Sequence, residues 1–174
     1  MKTWPLILSV IIFQLTWASA ALNYQAIAIV GVIGLVGILK YSQAGSIQIL
    51  IASGLAIALG VLMDGILHRL GIYQFPSSYI LFYLNVPTWL LIMWAAFATT
   101  LFSSFYWALN KPIWFVGLCS ILGPASYLLG RNLGIIQFQD SHGFIMVVSW
   151  ALWALVFIIF WHTCFKKMAV ISRL

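Results

Sequence analysis

The stretch from Ser46 to Leu67 holds one charged residue, Asp64, in an otherwise almost wholly apolar run. Coiled as a helix it would be ~33 Å long, enough to cross the hydrocarbon core of a bilayer. Similar runs recur along the chain. Of its 174 residues 64% are hydrophobic and only 6% charged, against about 25% charged in a soluble domain. A soluble fold of this size leaves too many residues facing water to hide so much apolar side chain. The solvent must therefore be a bilayer. Lipid offers no hydrogen bonds to the backbone, so only helices or a closed barrel can span it. The runs are continuous rather than alternating, which predicts an all-α integral membrane protein.

Six spans are expected: Trp4 to Ala21, Ala26 to Leu39, Ser46 to Leu67, Pro87 to Leu109, Pro112 to Leu129 and Gly143 to Phe165. Together they read as one transmembrane domain over residues 1–174. The first run has a second reading. With Lys2 before it and Ala18-Ser19-Ala20 at its end, it resembles a cleavable signal peptide. Gly31, Gly34 and Gly37, and separately Gly54 and Ala58, suggest smooth faces for close helix packing. Ser77 to Val86 is too short to cross, and reads as an interfacial piece or the start of the fourth span. Gly123-Pro124 predicts a kink in the fifth helix.

The net charge of +6 comes from cations placed singly at the ends of apolar runs. That is a membrane-anchoring pattern and not a nucleic-acid surface. With the N-terminus in the cytoplasm, Lys2, Lys40, Lys111, Lys166, Lys167 and Arg173 lie inside, and Arg69 and Arg131 outside. The expected location is a cell inner membrane with both termini cytoplasmic. The polar chemistry then collects on the outer side: Asn23, Asp64, His68, Arg69, Asn85, Arg131, Asn132, Asp140 and His142. No ATPase module and no glycine-rich phosphate loop is present, which argues against a primary pump acting alone. Two cysteines in apolar surroundings imply neither a disulfide framework nor a metal site.

Leu70-Gly71-Ile72-Tyr73-Gln74-Phe75 recurs 63 residues later as Leu133-Gly134-Ile135-Ile136-Gln137-Phe138, with five of six positions matched. Trp89 and Trp150 follow at similar distances. Spans three and four, and spans five and six, therefore look like two parallel copies of a helical hairpin. Such repeats occur in some transporters, with the site between the copies. Duplication of a stable hairpin explains the match equally well.

Asp64 is the leading candidate residue, because an intramembrane carboxylate is expensive and commonly functional. Its alternatives are a coupling site for a proton or cation and a structural ion pair with Arg131. His68 lies one helical turn later and shares a face with it. The two could work as an acid/base pair, or simply hydrogen-bond. Asp140 and His142 add a second carboxylate and imidazole, yet without metal-ligand spacing, so no metal and no cofactor is expected. Arg131 and Asn132 could hold a phosphate head group, or Arg131 could snorkel to the interface. Gln14 and Asn85 suit hydrogen bonds between helices. Tyr127 could bond at the kink beside Gly123-Pro124, and His162 looks like part of a helix end.

Several of these elements resemble a known pattern. They are Phe13-Gln14-Leu15-Thr16-Trp17, the stretch from Asp64 to Phe75, Pro87-Thr88-Trp89 with Trp94 and Phe97-Ala98-Thr99-Thr100-Leu101, and Gly123-Pro124-Ala125-Ser126-Tyr127 with Gly130. Together the chain resembles bacterial domain-of-unknown-function family 2878 over roughly Ile12 to Phe138. The resemblance implies a small inner-membrane protein, and a setting of membrane-lipid modification. Asp64 belongs to the shared pattern, whereas His68, Asp140 and His142 do not.

The expected function is a non-enzymatic membrane protein that binds or moves a small apolar or lipid-like molecule, with a polar site at the outer face. One alternative is a membrane enzyme of lipid modification using Asp64 and His68. Another is an accessory or scaffold subunit. The expected partners are membrane lipids and either another membrane protein or further copies of this chain, with no nucleic acid.

Overall fold

A computed structural model describes residues 4–42, 47–76, 80–81 and 86–165. Lys2, Asn85, Lys166, Lys167 and Arg173 lie outside them. The structure is all-α, with six principal helices: α1 Trp4–Ala21, α2 Gln25–Ser42, α3 Ile47–Arg69, α4 Thr88–Ser103, α5 Pro112–Asn132 and α6 Gly143–Phe160. A 3-10 turn, Ala108–Asn110, precedes α5, and a π turn, Trp161–Phe165, continues α6. Among the described residues four helical stretches are long and apolar enough to cross a membrane: α1, α3, α5 and residues 140–164. α2 and α4 are shorter apolar helices. Large apolar side chains such as Val30, Leu50, Ile113 and Phe144 point outward. A surface of that kind is stable only against lipid, and the chain is a membrane protein.

The helix ends follow from a few residues. α1 turns into α2 through Asn23, whose φ of 66° is left-handed, a conformation asparagine tolerates better than most residues. α3 and α5 stop in the same way. Gly71 and Gly134 both take φ 73°. Ile72 N–H donates to Leu67 C=O at 3.0 Å, and Ile135 N–H to Gly130 C=O at 3.0 Å. A left-handed glycine that lets the following N–H reach back to the last turn is a standard helix stop. The repeated Leu-Gly-Ile motif is therefore a helix terminator used twice.

α4 is shorter than its apolar run. Ser104 Oγ donates to Leu6 C=O at 2.7 Å, and Ser103 Oγ to Ser9 Oγ at 3.2 Å. Ser9 and Ser104 also bond each other. Hydroxyls that find partners on a neighbouring helix compete with helix continuation, and here they tie the end of α4 to the start of α1. Before α4, β1 Ile80–Leu81 pairs antiparallel with β2 Val86–Pro87, Ile80 opposite Pro87. The approach to α4 is thus a small hairpin. It is not the first turn of α4, which begins at Thr88. Residues 77–79 and 82–85 lie outside the described set.

On α3, close packing uses other small residues than expected. Gly54 and Ala58 face outward. The buried stripe of α3 is Ala52, Ala56 and Gly60, and it ends on Asp64. A Cβ on Gly60 would lie 2.3 Å from the Trp94 indole, and one on Gly123 would lie 2.1 Å from that of Trp150. Trp94 and Trp150 stack with centroids 5.3 Å apart and planes at 17°. Trp94 and Trp150 thus each cover a glycine of a neighbouring helix. Between α1 and α2, Gly31 sits against Thr16, while Gly37 meets nothing within 4 Å. Gln74 and Gln137, equivalent in the repeated motif, exchange two backbone hydrogen bonds of 2.8 and 2.9 Å.

Gly60→Leu and Gly123→Leu should each destabilise the fold, because rigid indoles cannot yield to a side chain there. Overpacking of this kind costs about 1–3 kcal/mol. Thermal unfolding in detergent should show a lowered midpoint for both variants, and an unchanged one for Gly37→Leu.

Candidate functional site

Asp64 is wholly buried. It closes the small-residue stripe of α3, so its carboxylate projects into the packed centre of the bundle. Three neutral groups donate to it. Trp94 Nε1–H of α4 reaches Oδ2 at 2.6 Å. The Tyr127 hydroxyl of α5 reaches Oδ1 at 2.6 Å. The Tyr73 hydroxyl, from the turn after α3, reaches the same oxygen. The Tyr73 and Tyr127 rings lie 5.3 Å apart.

An ionised carboxylate only accepts hydrogen bonds, whereas a protonated one must also place a proton. Three donors converging on two oxygens fit the ionised form. Among the described residues no cation reaches Asp64. Burying an unpaired charge costs several kcal/mol, and hydrogen bonds to a charged group return ~1.5–3 kcal/mol each. Burial, and then the Asp64 carboxylate, push the Tyr73 hydroxyl well above its ordinary range, so Tyr73 remains a donor.

The other predicted residues are placed elsewhere. Arg131 does not meet Asp64. It pairs with Asp140, whose side chain is 90% exposed, and its guanidinium lies 4.8 Å above the Phe138 ring. Arg131 is nine residues from Asp140 in sequence and is held at the surface. Asn132 is exposed beside it at the end of α5. A head-group site at Arg131 would compete with that carboxylate. His68 does not pair with Asp64 either: its Nδ1 faces Tyr73 C=O at 3.2 Å, because the chain turns back over it at Gly71. His142 Nδ1 lies 2.8 Å from Ile72 C=O, joining the start of α6 to the end of α3. His162 Nε2 lies 3.0 Å from Leu109 C=O. Among the described residues no three of His, Cys, Asp and Glu gather as metal ligands would. Tyr127 binds Asp64 rather than a kink carbonyl.

Sequence reasoning missed Tyr73 and Trp94 as partners of Asp64. One signal for Tyr127 was available. Asp64 and Tyr127 are 63 residues apart, the offset of the repeat itself. Laid over one another, the two copies put the carboxylate and its phenol at one position.

Beside this cluster runs a long apolar cleft of about 350 Å³ between α1, α4 and α5, with Trp150 of α6 at one side. Phe97, Leu101, Phe115 and Leu122 form much of its wall. Trp94 lines it too, so one indole forms the cleft wall and bonds Asp64. Gln14 faces the same space. It was expected to bond between helices, but its amide has no hydrogen bond to any described residue.

Fold and site together define a helical membrane protein with a hydrogen-bonded carboxylate buried beside an apolar cleft. The chain matches the family described as protein of unknown function (DUF2878) over residues 6–159 and belongs to that family. The match spans the helices that carry the cluster, beyond the stretch over which the resemblance was first visible. No curated protein and no solved structure matches the chain.

Tyr73→Phe and Tyr127→Phe should each lower stability by about 1.5–3 kcal/mol, the range for hydrogen bonds to charged groups. The double variant should lose more than the sum, since both phenols serve one oxygen and either partly covers for the other. Asp64→Asn should lose more than either, because its amide NH₂ would face a donor. Arg131→Ala should change little, as exposed ion pairs do. Unfolding midpoints of the purified variants decide each point.

Proposed function

We propose that this protein binds a small apolar or lipid-like molecule inside the membrane, in the cleft between α1, α4 and α5. One observation carries the reading. The cleft has apolar walls, is bounded by helices that meet at the Asp64 cluster, and has Trp94 in common with that cluster. An occupant pressing on the indole would act on a ring whose N–H is fixed by the carboxylate. Movement of the bound molecule toward the outer face is the natural extension, with Asp64, Tyr73, Tyr127 and Trp94 as the element that responds.

The same proposal takes the chain to cross an inner membrane six times, as hairpins, with α3–α4 and α5–α6 as parallel copies and both termini cytoplasmic. Supporting it are the paired glycine stops, the two glycine–tryptophan contacts and the Gln74–Gln137 bridge. Contacts at the two ends agree: Gln25 Nε2 donates to Thr88 at 3.2 Å at one end, and Trp4 lies 6.1 Å from Tyr41 at the other. The excess of lysines at one end supports the orientation. The acid/base alternative finds no support in the geometry, since His68 turns away from Asp64.

Protein purified in mild detergent should carry a co-purifying amphiphile, visible by native mass spectrometry. Ala125→Phe, which fills the cleft from α5, should lose it while remaining folded. Retention of the same adduct by that variant would refute the cleft as its site. For orientation, a cysteine replacing Asp140 should react with an impermeant maleimide added outside intact cells. Protection of that cysteine would overturn the proposed topology.

A further inference from the structure

The cleft contains more than an apolar wall, and its shape and one amide narrow the class of occupant. This step rests on the cleft reading above. Along α5 the lining runs from Phe115 to Leu129, a length of ~21 Å at helical rise. A volume of about 350 Å³ spread over that length is narrow. It suits one extended hydrocarbon chain.

The polar groups along it are few. Thr100 Oγ1 donates to Ala96 C=O at 2.8 Å, and Ser126 Oγ to Gly123 C=O at 2.7 Å. Their protons are used within their own helices. Gln14 differs, because both its carbonyl and its NH₂ lack a hydrogen bond to any described residue. On α1 it lies ~15 Å from Trp4 by helical rise, close to the middle of a ~30 Å hydrocarbon core. Gln14 is exposed at the bundle surface, where hydrocarbon offers its amide no hydrogen bond, and an unmet one is costly. Val10 and Trp17 also line the cleft, a turn to either side of Gln14. The amide therefore meets an occupant part-way along its length and not at its end.

We infer that the cleft takes a single-chain lipid bearing a hydroxyl or carbonyl group within its chain, and that Gln14 recognises that group. The amide can donate to a carbonyl, or both donate to and accept from a hydroxyl. The apolar walls select the chain, and Gln14 selects the modification on it. Gln14 is a specificity-determining residue in this scheme, with Trp94 as the wall that reports occupancy to Asp64.

The test uses the intact protein in detergent micelles loaded with equal amounts of methyl 12-hydroxyoctadecanoate and methyl octadecanoate. Native mass spectrometry reads the ratio of the two adducts. Wild type should favour the hydroxylated ester about tenfold, as one hydrogen bond in a membrane interior allows. Gln14→Leu and Gln14→Met should bind both esters equally, with the plain ester bound as well as by wild type. Equal binding by wild type, or a preference that survives both substitutions, overturns the role of Gln14 and leaves the cleft reading standing. If neither ester forms an adduct that Ala125→Phe removes, the cleft reading fails and this inference with it.

Discussion

A carboxylate enclosed in the centre of a lipid-facing bundle has to be satisfied by whatever the protein places around it. For Asp64 the partners are two phenols and an indole drawn from α4, α5 and the turn after α3. No one helix could supply them, so the charge is tolerated only when these segments meet. The cost of leaving Asp64 bare makes the cluster a device for assembly as well as a candidate site. Removing one donor leaves the charge in place, which is why such a cluster is vulnerable at each member.

The geometry around it is nearly symmetric. A glycine receives a tryptophan face on each of α3 and α5, and the two indoles stack between them. The Gln74–Gln137 bridge joins the two helix ends with a pair of reciprocal bonds. Within this frame one position breaks the symmetry. Where α3 has an aspartate, α5 has a tyrosine, and the second donates to the first. Two aspartates at this joint would repel, and two tyrosines would leave no acceptor strong enough to gather the indole and the other phenol. The difference between Asp64 on α3 and Tyr127 on α5 thus creates the site.

The cleft and the cluster are neighbours through a single side chain. Trp94 presents its ring to the cleft and its N–H to Asp64. Apolar recognition and buried charge are therefore mechanically adjacent, without any polar group of the cluster being open to lipid. The polar residues at the helix ends form a separate layer: Arg131 with Asp140, and His68 and His142 against backbone carbonyls of the turn at Ile72 and Tyr73. That layer fastens the ends of α3, α5 and α6 above the cluster.

Composition and unbroken apolar runs were enough to establish a helical membrane protein, because lipid permits few other ways to pair a backbone. The Leu-Gly-Ile motif was legible only as a recurrence; that it stops two helices follows from the left-handed φ of Gly71 and Gly134, which glycine enters cheaply. Asp64 stood out from sequence because a lone intramembrane acid is costly wherever it lies. Its partners did not, since Tyr73, Trp94 and Tyr127 are ordinary residues of a membrane chain until packing aims their donors at one carboxylate. Charge alone favoured Arg131 for that role. Tertiary structure decided otherwise: Arg131 ends a helix at the surface beside Asp140, while Asp64 continues the Ala52–Ala56–Gly60 stripe inward. Which face of α3 turns inward depends on the shape of Trp94 against Gly60, and that contact exists only once the helices have packed.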